Sequence, residues 1–146
     1  MNKQDNNVTV SDVIGTREKT LNPNDYYVNF SKYDQDEGII LATVIRKVSV
    51  KQRPGAFYNI RIKYSPIGAL TTNSIVWLGC NCPDFITRWT YVLGKHNALF
   101  VAPYETNLTN EFTYAIEHAP KVTNPMNQLG ACKHIRLVLL EALKIT

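Results

Sequence analysis

Glycine, cysteine and long apolar runs are scarce in this sequence, and each scarcity argues against a class of protein. The chain of 146 residues has 7 glycines, and they form no glycine-rich loop of the kind that binds phosphate groups. No apolar run approaches the roughly 20 residues that a membrane-spanning helix needs. Residues 1–7 are mostly polar and lack the apolar segment of a signal peptide. We therefore expect no membrane partner and no small-molecule substrate.

The 3 cysteines cannot all be paired in disulfides within the chain, because their number is odd. A reducing compartment fits this number better, and clustered cysteines there more often bind metal. All three lie in two short pairs of potential ligands. The first pair is Cys80-Asn81-Cys82, and the second is Cys132-Lys133-His134, after 49 intervening residues.

The rest of the composition is that of an ordinary globular domain. Hydrophobic residues make up 45% of the chain and charged residues 19%, which is enough apolar material for a protein core. A metal ion would therefore complete a core and not replace one. The net charge of +4 is compatible with a nucleic-acid partner but does not require one.

The sequence divides into a polar N-terminal arm, 1–24, and one domain, 25–146. The arm is rich in asparagine, and Gly15 weakens a short helix that could begin after Ser11. We expect the arm to be extended and to become ordered only against a partner.

The start of the domain is typical of β-structure. The pattern becomes β-like from Asp25, and strands are predicted at 39–50, 57–64 and 74–78. A turn containing proline and glycine, 53–56, separates the first two. The strand at 57–64 alternates, so its apolar side chains share one face of the sheet: Tyr58, Ile60, Ile62 and Tyr64.

Two helices complete a predicted α+β fold. One begins at Pro83, which suits the first position of a helix, and ends at Gly94. It lies in an insertion, 83–131, that separates the two pairs of potential ligands. The other follows Gly130 and is apolar on one face. The sequence thus predicts a small antiparallel sheet with a helical insertion and a C-terminal helix.

The two pairs together offer the donor set of a structural zinc site. Zinc in such sites prefers four thiolate or imidazole ligands in a tetrahedron, and the chain supplies them as Cys80, Cys82, Cys132 and His134. The first pair follows a strand. The second begins a helix, whose N-terminus lowers the pKa of a thiol, and the other nitrogen of His134 should donate to a carbonyl or carboxylate. The alternative is a set of buried, inert cysteines and a hydrogen-bonded histidine.

At these residues the sequence resembles the SWIM zinc finger, whose pattern is Cys-x-Cys, a variable spacer and Cys-x-His. The resemblance implies a ββα zinc-finger core and a bound Zn²⁺. The spacer is longer than is typical of that family. Together with Cys82-Pro83-Asp84-Phe85 and Thr123-Asn124-Pro125, it resembles a long-spacer form found in proteins of tailed bacteriophages. Such a protein would lie in a virion or in the host cytoplasm.

Two binding functions are compatible with these features. The first is a non-enzymatic, zinc-stabilised structural or interaction protein, such as a capsid or neck component of a phage particle, with other proteins as partners. The second is a DNA-binding zinc-finger module. Its candidate contacts are the basic residues around the first two predicted strands: Arg46, Lys47, Lys51, Arg53, Arg61 and Lys63.

Catalysis is a third possibility, which the sequence disfavours. Four protein ligands leave zinc no open position for water or substrate, and the His-x-Glu signature of zinc deaminases is missing. Asp84 lies next to the predicted site, but at the start of a helix a carboxylate is expected to cap backbone N–H groups. We therefore expect the protein not to be an enzyme.

Overall fold

The computed structural model describes residues 6–17, 21–47, 55–100, 117–118, 124 and 128–145. Within this part of the chain, four antiparallel strands form one sheet in the order β1-β2-β3-β4. The strands are β1 (Tyr26–Asp34), β2 (Ile39–Arg46), β3 (Phe57–Ser65) and β4 (Ile75–Cys80), and the α-helices are α1 (Val10–Ile14), α2 (Thr90–Lys95) and α3 (Lys133–Ile145). The predicted α+β fold is confirmed.

The core lies between the sheet and α3. The alternation predicted for β3 is present, since Ile60, Ile62 and Tyr64 are each at most 1% exposed. Helix α3 contacts β2, β3 and β4, and the apolar face predicted for it is buried: Ile135, Val138, Leu139 and Ala142. These contacts fix the N-terminal end of α3 relative to the sheet.

Strand β1 is an edge strand that the sequence did not reveal as a separate element. Polar side chains such as Asn29 and Ser31 alternate with half-buried ones such as Val28 and Phe30, so the apolar signal is weak. The register with β2 shifts between Phe30 and Lys32, which leaves Ser31 as the extra residue of a β-bulge. The other edge of β1 pairs with no strand of the described residues.

Two short segments cover the edge of β4 that faces away from β3. Val76 N–H donates to the carbonyl oxygen of Val8 at 2.9 Å, and Leu78 N–H donates to that of Ala98 at 2.8 Å. Phe100 N–H in turn donates to Leu78 O at 2.8 Å. Strand β4, which ends at Cys80, is therefore hydrogen-bonded on both sides.

The described part of the N-terminal arm is not extended and free, which corrects the expectation from the sequence. Val8, Val10 and Val13 are fully buried, and the Thr9 side chain caps α1 by accepting a hydrogen bond from Asp12 N–H. Burial of the three valine side chains stabilises this segment against the core, although most of the neighbouring residues are polar. The division into an arm, 1–24, and a domain, 25–146, that folds by itself stays a prediction.

Beyond α1 the N-terminal segment contacts the C-terminal half of the chain. The Thr16 hydroxyl donates to Val13 O at 2.6 Å and accepts from Ala131 N–H at 3.3 Å. Ala131 directly precedes Cys132, so the arm reaches the residue next to a predicted ligand.

The helix of the insertion begins as predicted but ends later. A π-helical turn, Phe85–Trp89, runs into α2, and Gly94 lies inside the helix instead of ending it. After the helix, Asn97 takes the left-handed conformation, with a φ of 54°, which is common for glycine or asparagine at a helix end. Among the described residues, every helix is too short or too polar to span a lipid bilayer.

Candidate metal centre

Strand β4 and the turn after it position the first two predicted ligands. Cys80 is the last residue of β4 and lies on the core face of the sheet. In the turn, the side-chain oxygen of Asn81 accepts a hydrogen bond from Asn59 N–H at 2.9 Å, which holds the turn against β3. The Cys82 Sγ then accepts a hydrogen bond from Phe85 N–H at 3.3 Å. Both sulfurs therefore have a fixed backbone environment.

Helix α3 positions the other two predicted ligands. Cys132 directly precedes the helix, and its carbonyl oxygen accepts a hydrogen bond from Arg136 N–H at 3.2 Å. His134 is the second residue of α3. Helix α3 packs on the core face of the sheet. Its first turn lies at the end of the sheet where β4 stops, since Cys132 and His134 lie close to Cys80.

The four predicted ligands form one cluster. One ligand atom each from Cys80, Cys82, Cys132 and His134 can be chosen so that all four lie within 4.8 Å of one another. Zn–S bonds of about 2.3 Å at tetrahedral angles place two sulfurs about 3.8 Å apart. The cluster is therefore close to the size that a single ion requires. The proximity predicted from the sequence is confirmed.

The chemical state of the donors fits a metal ion. None of the three cysteines is in a disulfide, and the buried Nδ1 of His134 has no hydrogen-bond partner among the described residues. The acceptor expected for a second histidine nitrogen is therefore not found at Nδ1. A buried polar atom without a partner costs roughly 1–3 kcal/mol, and coordination of a cation removes that cost. Three sulfurs and one imidazole suit a thiophilic ion such as Zn²⁺.

Two tyrosines, from the strands on either side of β2, pack against His134. The centroid of the Tyr58 ring in β3 lies 4.6 Å from that of the imidazole, with the planes tilted by 42°. The Tyr26 ring in β1 makes an edge contact at 6.5 Å. The alternation in β3 predicts that Tyr58 shares a face with Ile60 and Ile62. It does not reveal that Tyr58 contacts a metal-ligand candidate, because that contact joins distant parts of the chain.

The three thiols differ in pKa because of burial and of one another. Burial raises the pKa of the Cys80 thiol and of the Cys132 thiol well above the usual range. The pKa of Cys82 is instead lowered, mainly by hydrogen bonds from Cys132 and then from Cys80. The expectation of a lowered pKa at Cys132 is wrong, because its full burial outweighs the effect of the helix N-terminus. The metal-free cluster thus favours one thiolate and two thiols.

A cavity of about 260 Å³ lies beside the cluster. Its lining includes Cys82 and His134 together with the charged side chains of Arg46, Lys133 and Asp84. Three thiolates around Zn²⁺ would leave a formal charge of −1. Arg46 and Lys133, the two cations in the lining, would offset that charge.

Asp84 has a different role from the one that the sequence suggested. Its side chain makes no capping hydrogen bond. One carboxylate oxygen lies 3.7 Å from the Arg88 guanidinium, and the other accepts a hydrogen bond of 3.4 Å from the Trp89 indole. The carboxylate therefore ties two side chains of the insertion helix together.

Arg61, one of the predicted nucleic-acid contacts, is used inside the protein. It is 6% exposed, and its Nε donates to the carbonyl oxygen of Phe100 at 3.1 Å. The guanidinium lies across Gly79 of β4, where a Cβ atom would collide with Arg61 and with Phe100. Strand alternation alone predicts that Arg61 lies on the outer face of the sheet. The segment that contains Phe100 pairs with β4 and covers this part of the outer face.

The other basic candidates are spread over the sheet. Arg46 and Lys47 lie at the end of β2, where Lys47 is 4.8 Å from the centre of the Tyr27 ring. Lys63 pairs in register with Ile39, at the opposite end of β2 from Arg46. Two further candidates, Lys51 and Arg53, lie outside the described residues. Contact of this set with nucleic acid stays a prediction.

Comparisons of the sequence with models of known protein families and with curated proteins, and of the fold with solved structures, found no match. The inference that these residues form a metal centre therefore rests on their own geometry and chemistry. The likeness to SWIM and bacteriophage proteins depends on the ligand pattern and the short motifs quoted above.

Proposed function

We propose that this chain is a non-enzymatic, zinc-stabilised interaction module. The observation that carries the proposal is the meeting of four metal-ligand candidates, two at the end of β4 and two at the start of α3, within 4.8 Å. A bound ion would join the sheet to the C-terminal helix directly. It would also close the 83–131 insertion at its base.

The donor set supports a structural role for the ion. Four protein ligands fill a tetrahedral zinc site, whereas catalytic zinc sites keep one position for water or substrate. Asp84, the nearest carboxylate in sequence, is engaged with Arg88 and Trp89. These features favour stabilisation over catalysis.

The outer face of the sheet supports a protein partner. Tyr27 and Phe57 are 59% and 61% exposed, and both pair in register with Ile45 of β2. The three side chains therefore form a row across β1, β2 and β3, which we call the aromatic row. Exposed aromatic side chains are enriched at protein interfaces, and the scattered basic residues favour nucleic acid less.

A finer proposal places the protein in a bacteriophage particle, as a capsid or neck component. Its support is the long spacer and the short motifs that resemble phage proteins. A virion protein of this size would use the aromatic row to bind a neighbouring subunit, and the ion would keep the sheet end rigid.

One experiment tests the module and its partner together. Protein purified from its native source should contain about one zinc per chain and retain a partner protein. The double variant Tyr27→Ser/Phe57→Ser should keep the zinc and lose the partner. Ile67→Ser, which alters a side chain that is 65% exposed outside the row, serves as the control. Metal-free protein of full stability would contradict the module, and partner retention by the double variant would contradict the row.

DNA binding is the second candidate, supported by Arg46 and Lys133 around the cavity beside the cluster. It predicts an affinity for duplex DNA that falls steeply with salt. Arg46→Gln should weaken such binding more than Lys144→Gln, which removes the same charge from the far end of α3. Equal losses, or affinity without salt dependence, would contradict it.

A further inference from the structure

A second and larger cavity, of about 420 Å³, lies where three distant segments meet. Its described walls come from residues 15–17 after α1, from residues 88–89 in the insertion helix, and from Asn124, Gln128 and Leu129 before α3. This volume is in the range of small-molecule sites. The cavity is separate from the metal ligands, none of which lines it.

The walls are held by close packing and by hydrogen bonds. A Cβ atom at Gly130 would collide with the Thr16 side chain and meet the Trp89 ring, so the three segments touch behind the cavity. Asn124 is 6% exposed, and its side chain donates to Gln128 O at 3.0 Å and accepts from Gln128 N–H at 3.0 Å. The shape of the cavity is therefore built into the fold.

The charge of the described lining is positive. Arg17 and Arg88 both line the cavity, and no acidic residue does so among the described residues. Arg17 is exposed, and its side chain makes no ion pair with the described residues. Arg88 is held in place, with its guanidinium 5.5 Å from the centre of the Trp89 ring and 3.7 Å from the Asp84 carboxylate. One cation is thus fixed and the other is available to a ligand.

We propose that this cavity binds a small phosphate ester, with its phosphate group between Arg17 and Arg88. Guanidinium groups match phosphate oxygens with two parallel hydrogen bonds, and such charge-assisted bonds are strong. A bare phosphate ion would fill only part of the volume, which leaves room for an organic group against Trp89. Gln128 also lines the cavity and carries an amide that offers the ligand a further polar group.

The experiment uses the intrinsic fluorescence of Trp89 in zinc-loaded protein. Trp77→Phe removes the other tryptophan, which lies in β4 outside the cavity, so that Trp89 is the sole reporter. Ribose 5-phosphate is titrated, with ribose and inorganic phosphate in parallel. We expect a saturable change with ribose 5-phosphate and none with ribose. A response to inorganic phosphate at equal affinity would overturn the organic half of the proposal.

Variants of the two arginines locate the binding. Arg17→Gln should weaken the affinity at least about tenfold, because it removes charge-assisted hydrogen bonds, and it alters an exposed side chain that the fold does not use. Arg88→Lys keeps the charge but loses the planar fork, and it should weaken the affinity similarly. Lys144→Gln is the matched control and should bind as the parent does. No saturable response, or equal affinity in Arg17→Gln and the control, would overturn the proposal.

Discussion

The imidazole of His134 lies against the Tyr58 ring, with a centroid separation of 4.6 Å. This contact joins the second residue of α3 to the core face of β3, and it orients a metal-ligand candidate by packing. The buried Nδ1 has no hydrogen-bond partner among the described residues, so the tyrosine ring is the clearest constraint on the histidine.

Tyr58→Leu should weaken zinc binding about tenfold, in the range found when groups around metal ligands are lost. The smaller side chain no longer fixes the plane of the imidazole. Competition with a chromogenic zinc chelator measures the affinity. Tyr58→Phe keeps the ring and should bind zinc as the wild type does; equal weakening in both variants would mean that packing is not the cause.

Cys132→Ser should lower zinc affinity by more than the roughly 100-fold that loss of an outer partner costs. A hydroxyl is a poor ligand for zinc in place of a thiolate. Metal analysis after dialysis and thermal unfolding with and without zinc measure the effect. The variant should melt at the same temperature in both conditions, whereas zinc should raise the melting temperature of the wild type. Full metal content in Cys132→Ser would show that the site is assigned wrongly.

Zinc binding at pH 7 should release about two protons. Burial raises the pKa of the Cys80 and Cys132 thiols, so both hold a proton until the metal displaces it, while the Cys82 pKa is already low. Affinity should therefore rise with pH, by up to roughly 100-fold per unit below the raised pKa values. Calorimetry in buffers of different ionisation enthalpy counts the protons. Release of none at pH 7 would contradict this assignment of thiols and thiolate.

Gly79→Ala should destabilise the protein by about 1–3 kcal/mol, the usual cost of overpacking. A Cβ atom there collides with Arg61 and with the carbonyl of Phe100. Denaturant unfolding measures the change. Gly94→Ala is the control, because its Cβ would have room beside Leu99, at 3.4 Å, and alanine favours a helix. If Gly79→Ala is as stable as Gly94→Ala, the Arg61 guanidinium does not lie closely across Gly79.

The double variant Val10→Ala/Val13→Ala should lower the free energy of unfolding by about 3 kcal/mol, from roughly 0.8 kcal/mol for each buried methyl group lost. Both side chains are fully buried, although the sequence suggested a free arm. The same denaturant experiment applies, with Ser11→Ala, at an exposed position between them, as the control. Unchanged stability in the double variant would restore the interpretation of these residues as an arm.

Local patterns predicted the parts of the molecule whose signal is contained in a few neighbouring residues. The alternation in β3, the apolar face of α3 and the two short ligand motifs, Cys80-Asn81-Cys82 and Cys132-Lys133-His134, are of this kind. Tetrahedral coordination supplied the only long-range rule, because it requires four ligands to meet.

Contacts between distant segments account for what the sequence could not show. From the sequence, Val8 is part of a polar arm, and only the structure shows that it pairs with Val76. Similarly, the sequence predicts Arg61 as a cation on the outer face, and only the structure shows its hydrogen bond to Phe100. Burial also raises the pKa of the Cys132 thiol, which the helix N-terminus was expected to lower. In each case the deciding neighbour is far away in the chain and leaves no periodic signal.

The hydrogen bond between Thr16 and Ala131 N–H spans 115 positions of the chain and ends one residue before Cys132. In the proposed module, removing the ion would free Cys132, and the loosened backbone would then weaken the support of α1. A chelator should therefore accelerate amide exchange with solvent at Val10 and Val13, at the other end of the chain. The segment around α1 precedes the ligands of α3 in the chain, so it would gain its full protection only after those ligands have been made and loaded.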